Sequence, residues 1–449
     1  MPYATTAPVV SRQPTEIRSR LHESLETLAR AHQVPGAQLA VHTGGVTYTV
    51  HTGIADATTG EPFGTGTAVP LGSVTKVYTA AVVLLLAADG DLSLTDPLGL
   101  YLPELRTSPA ITIRQLLSHT AGLPTGPDSD EATGVTTARY LSRYAAETVC
   151  PPGTGFSYSN AGYVAAGRLI EEVTGMSWQE AVRAIVLEPL GTVPAFLGAP
   201  VPARSVACGH SANPLSGRVL PVRQTLAPVE APAGALLASA QDLLTLGRAL
   251  TGHGPRSVLP PEAAAQMRHP VPGAHPGVLA DGWGLGVALF HDGARQWCGH
   301  DGNAQGTSCF LRAEPVSGDV VAFTSNANGG TALWHALADE LAGITGLVLP
   351  PAPAARAGDP GLPPAGCAGT YRNGTVEYRV SAGADGSLAL SVNGDTPAPL
   401  VCHPDLACDL VDPATGRRIP GGHFLCDPGT GVIDRLQISG RTARRTGPA

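Results

Sequence analysis

The spacing of apolar residues changes character several times along the chain. In "TEIRSRLHESLETLARAH", Ile17, Leu21, Leu25 and Leu28 recur at helical spacing and predict an amphipathic helix. "GAQLAVHTGGVTYTVHTGIAD" predicts two strands joined by a Gly-Gly turn. "PLGSVTKVYTAAVVLLLAADG", residues 70–90, is apolar on every side and predicts a buried helix stopped by Gly90. Helical spacing returns at 113–118, 160–174, 178–186 and 240–250, and strand-like runs return in "GWGLGVALF", "GTSCFLRAEP" and "VVAFTSNAN". Helices in the middle with strands at both ends predict an α/β (α+β) fold: one antiparallel sheet, closed by the two ends, with helices packed on it.

A seam follows. Residues 348–366, "VLPPAPAARAGDPGLPPAG", are rich in Pro, Ala and Gly and predict a linker. Beyond it, short alternating runs are broken by Asn-Gly, Asp-Gly and Asn-Gly-Asp, which are hairpin signals. The organisation expected is a first domain over 12–347, the linker over 348–366, and a small antiparallel β-domain over 367–445.

Composition narrows the function. A chain of 449 residues with 43% hydrophobic and 14% charged residues has ample material for a core. A net charge of −8, with no basic stripe, argues against a nucleic-acid partner. The start lacks the pattern of a secretory signal, and no stretch reads as a membrane span, so the expected location is the cytoplasm. The eight cysteines are scattered without metal-like spacing, which predicts buried, reduced thiols and no metal or other cofactor.

The basic residues hold the sharpest clue, because only one of the 28, Lys76, is a lysine. It stands three residues after Ser73, on the same helical face. A serine hydroxyl becomes nucleophilic when a base takes its proton, and a lysine kept neutral by burial is such a base. Arginine cannot be deprotonated and could not substitute. Ser-x-x-Lys alone is a common pattern; the unique lysine makes it specific. In "PPGTGFSYSNAGYV", Tyr158 offers a phenol whose pKa a nearby lysine cation would lower, and Asn160 offers an amide for the lysine or a substrate carbonyl. In "GHDGNAQGTSCFLR", at the expected start of a strand, His300 and Asp301 lie among Gly299, Gly302 and Gly306. Glycine there signals close approach of another backbone. The N–H of Asn303 would pair with that of Ser73 as an oxyanion hole. His300 would meet a substrate carboxylate or assist proton transfer, and Asp301 and Gly302 would line the oxyanion and substrate site beside Asn303.

Ser-x-x-Lys, Tyr-x-Asn and His-x-Gly, in that order, resemble the active-site boxes of class C β-lactamases and D,D-peptidases, the penicillin-recognising serine enzymes. "LLSHTAGLP" and "APAGALLASAQDLLTLGRAL" look like further, non-catalytic landmarks of that family, and the resemblance runs over roughly residues 18–346. It implies a class C β-lactamase-like domain with Ser73 acylated, Lys76 and Tyr158 as the base system and Asn160 in support. His300 stands where β-lactamases carry lysine, which turns the expectation from β-lactam hydrolysis toward D-amino-acid peptidases, esterases and acyltransferases. A lipocalin-like C-terminal barrel follows such a domain both in D-aminopeptidase-type hydrolases and in penicillin-binding-protein-type thioesterases, which release and cyclise nonribosomal peptides. In length, in the missing export signal, in "ADGWGLG" before "GHDGNAQGTSCFLR" and in the Arg-rich end "IDRLQISGRTARRTG" the chain is most similar to the latter. That implies a peptidyl carrier protein as partner and a D-residue at the acyl end. Arg441 or Arg444 is then the arm expected to reach the substrate, unless both lie in a solvated tail. The competing readings are a stand-alone hydrolase and an inactive penicillin-binding-like sensor.

Overall fold

The computed structural model describes residues 13–447 except 107–109, 128, 146, 201–203, 214–215, 255–257, 357–360 and 414. The amphipathic pattern at the start forms the helix Pro14–Ala31, which buries Leu21 and Leu25. The strands Gly36–Thr43 and Val46–Asp56 turn at Gly44-Gly45, both with positive φ. The sheet has eight strands in the order Glu61–Pro62, Val46–Asp56, Gly36–Thr43, Val320–Ser325, Thr307–Ala313, Gln296–Ala304, Ala288–His291, Gly282–Trp283. Every neighbouring pair is antiparallel. The two ends of this region meet at its centre, where Leu39 lies opposite Phe323.

The apolar residues divide between two faces. Pro14–Ala31 and Gly330–Thr345 cover one, with Leu21, Leu25, Trp334 and Leu337 packed against Phe310 and Phe323. The other supports Thr75–Asp89, Asn160–Thr174 and Ala240–Thr251. The helix Gly330–Thr345 lies outside the sequence expectations. The strand Gln296–Ala304 corrects one of them: "GHDGN" lies inside a strand rather than at its start.

Thr75–Asp89 follows a short 3-10 turn, Gly72–Val74, and ends at Gly90 in the left-handed conformation. By length and composition Gly72–Asp89 is apolar enough to cross a membrane, contrary to the sequence expectation, but 72% of it is buried inside the fold. Its hydrophobicity belongs to a core helix.

The C-terminal strands, from Gly369–Asn373 to Arg441–Gly447, form a closed eight-stranded barrel. Closure brings Arg372 opposite Arg444. The interior is filled by Tyr371, Leu390, Phe424 and Leu436. Of the expected linker, 357–360 lie outside the described residues; its other residues carry no helix or strand. All eight cysteines are free thiols, six of them buried.

Candidate active site

Two glycines bring the site together. Gly72 has φ +51°, and a β-carbon on it would lie 2.3 Å from the Asn303 carbonyl oxygen. A β-carbon on Gly302 would lie 2.0 Å from the Leu71 carbonyl oxygen and 2.9 Å from the Val74 nitrogen. The strand backbone is therefore pressed against the turn that carries Ser73, an approach only glycine allows. Ala304 and Thr307 close a tight hairpin, so the next pair, Asn303 with Ser308, is of the non-hydrogen-bonded kind. The Asn303 N–H then faces away from the neighbouring strand, on the side of the Ser73 turn.

Lys76 Nζ donates to Ser73 Oγ at 3.1 Å and to the Ala233 carbonyl at 2.9 Å. The side chain is 1% exposed. Burial, assisted by the Arg441 charge and opposed by Glu230, pulls its pKa down to about 7. Its place in the first turn of a helix adds the positive end of the helix dipole, which acts in the same direction. A neutral amine is thus available near neutral pH.

The Tyr158 ring lies 5.0 Å from Lys76 Nζ, and its buried phenol oxygen sits beside the Ser73 hydroxyl without a well-formed hydrogen bond to any of the described residues. Here the sequence expectation is corrected. Burial pushes the phenol up to about 12, outweighing the lowering effects of the Ser73 hydroxyl and the Arg441 charge. The phenol therefore keeps its proton at neutral pH, whereas the Lys76 amine can give one up. Asn160 starts its helix just after Ser159, which caps it by accepting from Gly162 N–H at 2.9 Å. The Asn160 N–H donates to Thr125 O at 2.9 Å, and its Oδ1 has no partner among the described residues.

His300 is 3% exposed, and burial with the Lys76 charge lowers its pKa to about 4. Its Nδ1 contacts the Asp301 carbonyl at 2.6 Å, so Nδ1 carries the proton. Nε2 is left as an acceptor with no partner among the described residues. A neutral acceptor cannot supply the charge that a substrate carboxylate needs, which narrows the role expected of His300 to proton transfer. Asp301 is corrected as well. Strand alternation turns it to the other face, where its carboxylate pairs with Arg312, whose guanidinium lies 3.8 Å from the Phe290 ring centre. Of the two arginines, Arg441 reaches the cluster: it lies 5.5 Å from the Tyr158 ring and donates to Thr125 Oγ1 at 3.1 Å. Arg444 instead lines a separate cleft with Cys150, Asp434 and Arg435.

Two groups stand in the cluster that sequence reasoning passed over. His119, inside "LLSHTAGLP", adopts φ +57°, rare for a residue with a side chain. Its ring lies 4.4 Å from that of Tyr158, and its Nδ1 accepts the Ser159 N–H at 3.1 Å. Trp283, inside "ADGWGLG", lies edge-on to His300 at 5.4 Å, its indole N–H without a partner among the described residues. Both were in quoted stretches, but only the fold shows their proximity. Elsewhere Asp56, Cys208 and His210 place ligand atoms within 4.8 Å of one another. Both nitrogens of His210 are already engaged, by Asn326 O and Ala57 N–H, so no imidazole lone pair is left for a cation.

The helix-borne serine–lysine pair, the buried tyrosine and the glycine-lined strand define a serine acyl-enzyme fold of the β-lactamase and penicillin-binding type. The chain matches the beta-lactamase family over residues 21–344 and belongs to it. It is 33% identical over 366 residues to "Penicillin-binding protein 4" of Amycolatopsis lactamdurans, covering 78% of this chain and 96% of that one. It is 28% identical to "Esterase EstB" of Burkholderia gladioli, over 66% of this chain and 88% of that one. Among solved structures, SurE superimposes with TM-score 0.85 at 38% identity, covering 96% of this chain and 99% of that one. SurE with D-Leu gives 0.83 at 37% identity.

Proposed function

We propose that the protein takes a peptidyl chain from a carrier-protein thioester onto Ser73 and releases it by head-to-tail macrocyclisation. Lys76 removes the Ser73 proton as Oγ attacks the thioester carbonyl. The N–H groups of Ser73 and Asn303 hold the developing oxyanion, and the thiol leaves with the proton returned through Lys76 and Tyr158. The substrate's own amine then attacks the ester. Its proton passes to His300 Nε2, Ser73 Oγ leaves taking a proton from Tyr158, and the proton on His300 restores the phenol.

The observation that carries this reading is the neutral, unpartnered His300 Nε2, an acceptor for the proton of an incoming N–H where a lysine cation would be a donor. With Arg441 close by and Asp301 turned away, the surroundings also keep an entering amine unprotonated and so nucleophilic. The likeness to SurE through both the sheet region and the barrel supports it, and the D-Leu in the second SurE structure agrees with a D-residue at the acyl end.

The test is an N-acetylcysteamine peptidyl thioester ending in a D-residue. Cyclic peptide is expected as the main product, lost in Ser73→Ala. Linear acid alone would sink the cyclase reading and leave a stand-alone hydrolase.

A further inference from the structure

The segment that delivers Tyr158 to the site, residues 151–159, has no regular secondary structure. One edge of it is tied to the sheet region: Ser157 N–H donates to His119 O at 2.9 Å and Ser159 N–H to His119 Nδ1 at 3.1 Å. The other edge is tied to the barrel. Phe156 O accepts from Thr442 Oγ1 at 2.7 Å and from Gln437 Nε2 at 3.2 Å. Tyr158 N–H donates to Gly440 O at 2.9 Å. Asn373 Nδ2 donates to Ser157 Oγ at 3.3 Å and to Thr442 O at 2.7 Å, while its Oδ1 accepts the Thr125 N–H at 2.7 Å.

Asn373 ends the first barrel strand, at an Asn-Gly hairpin tip. As a turn residue it would sit in water, yet it is fully buried. Gly374 beside it abuts Pro124, where a β-carbon would lie 3.0 Å from Pro124 Cβ. The tip is thus seated against Pro124 and Thr125, and Thr125 in turn holds Asn160 and Arg441.

We propose that the barrel is a working part of the catalytic centre. Asn373, with Thr442 and Gln437, acts as a clasp of positioning residues that holds the Phe156–Tyr158 backbone so that the phenol stays aligned with Ser73 and Lys76. A loop held on one edge by a histidine and on the other by a separate module has its geometry fixed only while both are docked. Buried amide–carbonyl bonds of this kind are costly to break because each leaves a partner unsatisfied. The proposal rests on serine acyl-enzyme chemistry but not on the cyclase reading.

The experiment uses the full chain and the rate at which a fluorophosphonate probe labels Ser73, with kcat and KM on a simple p-nitrophenyl ester alongside. Asn373→Ala is expected to lower labelling and kcat by about tenfold to a hundredfold, within the share that general acid–base catalysis supplies, with little change in KM. In a Tyr158→Phe background the same substitution is expected to cost almost nothing, since its effect passes through the phenol. Thr442→Val, nearly isosteric, removes one strand of the clasp and is expected to give a smaller loss with the same dependence on Tyr158. An equal loss in both backgrounds, or no loss from either folded variant, overturns the clasp. No labelling of the unaltered chain would instead overturn the serine chemistry, so the two failures are distinguishable.

Discussion

Lys76 is surrounded by influences that oppose its charge: burial, the Arg441 guanidinium and its place in the first turn of a helix. Glu230 acts the other way. With the amine as base, acylation requires it neutral, so kcat/KM should rise with pH through about 7 as the proton leaves. No second ionisation near neutrality should follow, because Tyr158 is held at about 12 and His300 at about 4. Arg441→Gln removes a cation that holds the amine's pKa down. The limb should therefore move to higher pH, leaving a smaller neutral fraction at pH 7. A pH–rate profile of probe labelling checks both statements; a limb that stays in place in the variant would remove Arg441 from the account. Lys76→Arg should abolish the limb along with the activity, since a guanidinium cannot give up its proton.

At the scale of elements, the site depends on how closely a strand lies against a helix N-terminus. A β-carbon at Gly302 would fall 2.0 Å from the Leu71 carbonyl, so Gly302→Ala must force Gln296–Ala304 away from the Ser73 turn. The Asn303 N–H moves with it. Labelling of Ser73 should fall by about a hundredfold to a thousandfold, the cost of one misplaced oxyanion donor, with the circular-dichroism spectrum retained. Near-wild-type labelling would mean that the N–H of Asn303 takes no part. The elements themselves were largely legible. Ile17, Leu21 and Leu25 announced the first helix, and the apolar run with Gly90 announced the Ser73 helix, because burial imposes its period on the sequence. The strand holding His300 begins at Gln296, ahead of the expected point, because the close approach that its glycines signal falls in the middle of the strand and not at its end. The face on which Asp301 lies depends on strand register, which local pattern does not disclose.

Taken as a whole molecule, the chain reads in sequence as two units joined by a Pro-rich seam, and the residues that couple them were the hardest to find. Asn373 lies in an Asn-Gly pair whose local meaning, a hairpin turn, is correct. Its contact with Thr125, 248 positions earlier, has no local signature. Arg441 was named in sequence together with Arg444 as a candidate arm, and only the fold separates the two. Coupling of this kind makes a prediction about stability as well as catalysis. The amides of Thr125 and Tyr158 belong to the sheet region but donate to acceptors on the barrel, Asn373 Oδ1 and Gly440 O. Amides that share an opening event share its free energy and its denaturant dependence. Native-state hydrogen exchange followed through increasing denaturant should therefore group Thr125 and Tyr158 with barrel amides such as that of Leu436, and not with those of the Thr75–Asp89 helix. Asn373→Ala should release the Thr125 amide first, since that bond is lost outright, while the Ser73 helix keeps its protection. If both amides exchange with the helix instead, the barrel is merely attached to the site, and the alignment of Tyr158 must come from His119 and the sheet region alone.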